Sequence, residues 1–165
     1  MTSGARLEGL FRGEVTNNID PQRQGRVQFS LPSVFGSNTL TWAMPCVPYA
    51  GPGVGFFFIP PVGAKLWILF EAGDPEYPVW MGGFWNSSDD VPAGLQIAEL
   101  KVLKTDTATI TIADGPGPAS ITIEGQGGLK ITMGPQGIEI TTGQGATVAL
   151  QGPKTSVNGT ALEVT

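Results

Sequence analysis

Hydrophobic and polar positions alternate with a period of two along most of this chain, and the alternation changes character between its halves. From Thr109 onward short triplets recur: Ile110-Thr-Ile112, Ile121-Thr-Ile123, Ile131-Thr-Met133, Ile138-Glu-Ile140 and Val148-Ala-Leu150. Gly115, Gly125, Gly134, Gly143 and Gly152 punctuate them at steps of 10, 9, 9 and 9. A period of two is that of a half-buried strand. One triplet with its turn buries too little surface to stand alone, so the repeat predicts a linear stack of short strands, a rod. The glycines are expected at corners, where positive φ or close backbone approach excludes a side chain. The triplets are spaced by 11, 10, 7 and 10, less evenly than the glycines.

The first half carries longer runs. Residues 10–16, 25–31, 40–46, 55–59, 64–71 and 79–84 are predicted as strands divided by Pro, Gly and Asp turns. Five or six strands in this length suggest a small closed barrel. Val27, Phe29 and Leu31 alternate with Gln28 and Ser30, giving one face to a core and one to water. Leu66-Trp-Ile-Leu-Phe70 is apolar on both faces, as in a strand covered by a loop or another subunit. No window shows a sustained 3.6-residue apolar period, so the chain is read as all-β.

Composition separates the halves. All four Trp, both Tyr and all eight Phe precede residue 86, so an aromatic core belongs to the first part and narrow aliphatic layers to the second. The 24 Gly and 14 Pro would suit a low-complexity chain, but 41% hydrophobic content in alternating strands argues against that. A net charge of −5 without a basic run disfavours nucleic-acid binding, which needs clustered Lys and Arg. Cys46, in an apolar setting, is expected to be a small buried hydrophobe. The first residues lack the apolar stretch of a secretory signal, so synthesis in the cytoplasm is expected.

Three blocks occur in order: Gly13-Glu-Val with Asp20-Pro and Gly25-Arg26-Val27; Trp42 with Pro48-Tyr-Ala-Gly51; and Pro61-Val-Gly63 with Phe70-Glu-Ala-Gly73-Asp74-Pro75, then Pro78-Val79 and Gly82. In these blocks the chain resembles the central spike proteins of contractile tails: phage baseplate spikes, the valine–glycine-repeat spike of type VI secretion, and the spikes of extracellular contractile injection particles. The resemblance implies an oligonucleotide/oligosaccharide-binding-type (OB-type) barrel followed by a trimeric intertwined β-helix. The expected organisation is a tail over 1–8, the barrel over 9–86, a linker over 87–104 and the β-helix over 105–165. Gly25, Arg26, Gly63, Phe70, Gly73, Asp74, Pro75 and Pro78 carry the barrel motif.

In the rod, one short strand per repeat is too little for a three-faced coil of one chain, and three chains would supply three faces. A homotrimer is expected, with Ile110, Ile112, Ile121, Ile123, Ile131, Met133, Ile138, Ile140, Val148 and Leu150 facing the shared axis. A single-chain β-solenoid is the alternative. The resemblance also implies partners: a baseplate hub at the barrel end, and at the far end a separate Pro-Ala-Ala-Arg-repeat (PAAR) tip protein. Docking of that cap is assigned to Val157, Asn158, Gly159, Leu162, Val164 and Thr165. Effector cargo and transient contact with a target-cell membrane are further expectations. The sequence has no His, which removes the histidine-held metal tip of some relatives.

Chemistry is sparsely signalled. Glu71, Asp74 and Glu76 form the densest acidic group, but Asp-Pro in a turn accounts for Asp74. Asp20, Asp89, Asp90, Asp106 and Asp114 also sit in turn-like contexts and lack the Asp/Asn ladder of a calcium site. Without His no Ser-His-Asp or Cys-His arrangement can form, and Gly51-Pro-Gly-Val-Gly55 precedes no helix, unlike a phosphate loop. Residues 87–104 are too few for the lysozyme domain of some phage relatives. No enzyme, cofactor or metal is therefore expected. Phe56, Phe57, Phe58, Trp67, Trp80, Phe84 and Trp85 suit a core and subunit interface, or a stacking platform for sugars. A trimeric carbohydrate- or receptor-binding fibre is the competing function.

Overall fold

A computed structural model of the chain describes residues 6–36, 39–92, 97–115, 117 and 120–164. The chain divides into two compact units, Met1–Ser88 and Asp89–Thr165. In the first, β1 (Phe11–Asn17), β2 (Val27–Ser30), β3 (Thr39–Pro45), β6 (Lys65–Phe70) and β7 (Pro78–Phe84) close into a barrel of order β1-β2-β3-β7-β6. All neighbours are antiparallel except β3 and β7, which run parallel. A four-residue helix, α1 (Pro32–Phe35), follows β2.

The alternation read from the sequence builds the barrel core. Val15, Val27, Phe29, Leu31, Ala43, Leu66, Ile68, Phe70 and Trp80 are buried against one another. Gly13 lies within this packing: a Cβ there would stand 2.8 Å from Ile68 Cγ1 and 3.3 Å from Phe29. Within one chain the outward face of β6 is half-buried. The Trp67 ring lies 4.7 Å from that of Phe84, and the Arg12 guanidinium stacks 5.3 Å and 5.0 Å from the two rings.

Two expectations for this unit change. Residues 55–59 are not a strand: a hairpin of β4 (Ala50–Gly51) and β5 (Val54–Gly55) precedes irregular chain, and Phe56, Phe57 and Phe58 stay exposed. Three successive Phe have no neighbouring ladder to join. Cys46 is exposed, not buried. Ala43 points inward, so period-two alternation turns position 46 outward where the chain leaves β3.

The second unit is one eight-stranded antiparallel sheet in sequence order: β8 (Leu100–Lys104), β9 (Ala108–Ala113), β10 (Ser120–Gly125), β11 (Lys130–Gly134), β12 (Gly137–Thr141), β13 (Thr147–Gln151), β14 (Lys154–Val157) and β15 (Leu162–Val164). Each strand bonds to its neighbour in the same chain, so the pairing is a meander; a parallel single-chain solenoid is ruled out. β8 occupies the end of the stretch expected to be linker. Tight connections of two residues, as between Gly134 and Gly137, alternate with longer ones, such as 142–146. This alternation explains the uneven triplet spacing.

Both purposes expected of the glycines occur, though not at every punctuating position. Of the five punctuating positions, Gly152 has φ 57°, whereas Gly125 is extended at φ −123°. Gly143 instead serves close approach: a Cβ there would overlap the carbonyl oxygen of Gly127 in the adjacent loop. Backbone cannot retract as a side-chain tip can. Gly143→Ala is therefore expected to destabilise the C-terminal sheet by about 1–3 kcal/mol per chain. Thermal melts followed by far-UV circular dichroism check this. The near-UV signal, to which only the aromatic-bearing first unit contributes, should be unchanged.

Candidate functional site

The register of the meander aligns its apolar residues into two rows on one face. One row runs Leu103, Ile110, Ile123, Ile131, Ile140, Val148, Val157, Leu162; the other runs Lys101, Ile112, Ile121, Met133, Ile138, Leu150, Thr155, Val164. All ten positions expected to form the rod core lie in these rows. The opposite face carries Val102, Thr111, Thr122, Thr132, Glu139, Ala149 and Ser156 in the intervening row.

Neither face is buried within one chain. Among the described residues of this unit none is fully buried, and Ile110, Ile112, Ile121 and Ile123 are about 40% exposed (38%, 40%, 38% and 39%). Eight strands at about 4.8 Å spacing make the apolar face roughly 34 Å long. A single antiparallel layer must cover such a face to be stable, and contiguous patches of this kind mark association surfaces. β8, with Leu103 in the first row, was not recognised from the sequence. Its signal was the β-prone apolar content of Leu100-Lys-Val-Leu-Lys104.

The proposed cap-docking residues separate in the structure. Leu162 and Val164, on the terminal edge strand β15, are 58% and 61% exposed, while Val157 is half-buried in β14. Asn158, at φ 48°, and Gly159 form the β14–β15 turn; Asn158 Oδ1 accepts the Thr147 amide at 2.9 Å. Those two shape the turn. Thr165 lies outside the described residues.

In the barrel the motif residues form two structural clusters. Asp20, its side chain 4% exposed, accepts the amides of Gln22 (2.9 Å), Gln24 (2.8 Å) and Arg26 (3.3 Å) and pairs with Arg26 Nη2 at 2.6 Å. Arg26 also stacks over Trp42 at 5.4 Å, and the Gly25 carbonyl accepts the buried Trp80 indole N–H at 3.1 Å. In the second cluster Phe70 and Pro78 are buried beside the 71–74 turn, where Asp74 Oδ1 accepts the Glu76 amide. Gly73 has φ 76°, and the residues after it include Pro75, which opens the way to β7. Arg6 and Leu7, in the segment expected to be the N-terminal tail, bond to the Ala72 and Gly73 carbonyls. Gly63 donates its amide to Val15. Among the described residues no group of three or more His, Cys, Asp or Glu side chains is arranged to hold a metal ion.

The Arg26 hydrogen bond, reinforced by the three backbone amides, holds the Asp20 carboxyl well below the usual carboxylate range, although burial opposes this. A lowered folded-state value means that the pair's contribution is complete above the ordinary pKa of about 3.9 and is lost as pH falls through the folded value. Asp20→Asn should lower the barrel's melting temperature at pH 7. The gap to the parent chain should narrow below about pH 4, as tryptophan fluorescence melts would record.

Comparison with known families places two matches on this geometry. Residues 11–85 match the type VI secretion system/phage-baseplate injector OB domain. Residues 101–163 match the phage baseplate V C-terminal trimerisation domain. No individual curated protein matches the chain.

Proposed function

The chain belongs to the phage-baseplate V family of baseplate and type VI secretion injector proteins, and on that premise we propose that it is the central spike of a contractile injection apparatus. The family places it in a structural, trimer-forming role within an assembled particle. In the proposed spike, three eight-stranded sheets turn their apolar rows to a common axis and their Thr- and Glu-bearing faces to solvent. The three chains wind about that axis as a β-helix, each keeping the ladder between its successive strands.

The observation that carries this reading is the uncovered two-row apolar face inside the trimerisation segment. Its function is mechanical and non-enzymatic. The barrels join the baseplate hub, and the edge at Leu162 and Val164 receives a PAAR-repeat cap, with cargo riding there. Sheath contraction drives the assembly through the target-cell membrane. A prism of three mutually buried sheets transmits that force, since no strand can leave without exposing the other chains' apolar rows.

The solution mass of the full chain, set beside that of a chain ending at Ser88, tests the proposal. A species of three times 17.2 kDa that becomes a folded monomer on truncation is expected. A full-length folded monomer would overturn it. A trimeric carbohydrate-binding fibre, the alternative, predicts glycan affinity at an aromatic groove.

A further inference from the structure

An apolar face that repeats strand after strand holds chains together without saying how they align. Sliding one sheet along the axis by two strands, about 10 Å, restores strand direction and again sets Ile against Ile. Repetitive surfaces of this kind specify register weakly. Besides the neutral Thr155, one feature of the face breaks the repetition. Lys101 is the sole charged member of the two rows, and it stands in the first strand. Its register partner is Ile112, and diagonally beside it Asp114 reaches Lys101 Nζ with Oδ2 at 2.6 Å. The Asp114 amide donates to the Glu99 carbonyl at 2.9 Å, which carries the β8–β9 ladder one step past β9. Alternation beyond Ile112 therefore sets Asp114 on the apolar side.

We infer that the Lys101–Asp114 pair is the alignment key of the trimer, recognising the same pair in two further copies of this chain. The inference rests on the trimeric reading above. With the two side chains 55% and 53% exposed, the pair adds little to a lone chain. Its consequence arises when the face is covered. Level chains bring three Lys101–Asp114 pairs to one layer, with Glu99 cross-strand from Asp114 beside them, so that each Lys meets carboxylates of the neighbouring chains. Slipped by two strands, the pair of one chain lies against Ile121 and Ile123 of its neighbour, where both charges lose water and keep only their contact with each other. A polar residue set singly in an otherwise apolar seam acts in coiled coils by the same logic, fixing register at a cost in stability.

The test uses the full chain in a Cys46→Ser background, with Glu139→Cys on the outward face carrying a nitroxide label. Double electron–electron resonance reads the distances among the three labels, and sedimentation reads the mass. The parent should be trimeric with one distance. The double variant Lys101→Leu/Asp114→Leu should remain trimeric, with a melting temperature equal to or above the parent's, and should show added longer distances from axial slips of about 10 Å or its multiples. The swapped pair, Lys101→Asp/Asp114→Lys, should restore the single distance. A double-Leu trimer that keeps the single distance, or a double-Leu chain that dissociates, overturns the inference while leaving the trimer intact in the parent. A monomeric parent overturns the trimeric reading itself.

Discussion

Ile123→Asp should abolish the trimer. Ile123 sits mid-strand in β10, level with Ile110 and Ile131 on the neighbouring strands and third of eight in the longer apolar run. In the assembly this substitution sets three carboxylates at one level on the axis, with no cation opposite. Each buried unpaired charge costs several kcal/mol, and each lost isoleucine removes about 1.5–3 kcal/mol of burial. The mass should fall from three times 17.2 kDa to 17.2 kDa in sedimentation. The C-terminal sheet has no fully buried described residue within one chain, so its far-UV signal should collapse with dissociation. The near-UV signal of the barrel should persist. A trimer that survives Ile123→Asp at full strength would mean that the other face is the one covered.

Phe29→Ala should do the reverse. Phe29 is fully buried at the centre of the barrel core, beside the space that Gly13 leaves open. Truncating a buried Phe costs about 3–5 kcal/mol through lost burial and an unfilled cavity, a large part of the 5–15 kcal/mol that stabilises a typical domain. The near-UV and fluorescence transitions should move to markedly lower temperature or denaturant. The mass should remain that of a trimer, because the C-terminal rows are untouched. Together the two variants separate a unit that folds on its own core from one that folds by association.

Much of this was readable from residue order. Val27, Phe29 and Leu31 declared their buried face by alternation, and the Ile-x-Ile triplets declared the apolar face of their sheet. Both patterns depend only on the period-two geometry of a strand. The barrel motif was also legible, though its meaning was not. Asp20 looked like a loop residue, whereas it gathers three amides and a guanidinium. That role depends on how the chain between Asp20 and Arg26 curls, which no local pattern specifies.

The sequence by itself determined the two-part division, the all-β character and which face of the strands is apolar, because alternation and aromatic content are properties of neighbouring residues. Only the tertiary structure decided which strand pairs with which. Pairing in sequence order turned five triplets into an eight-stranded meander, drew β8 out of the expected linker, and set Lys101 and Asp114 on the apolar face. It also left Cys46 and the three consecutive phenylalanines exposed. These outcomes turn on register and on the presence or absence of a neighbouring ladder. Both are relations between distant segments, settled by hydrogen-bond closure and packing, and neither is written in the local order of residues.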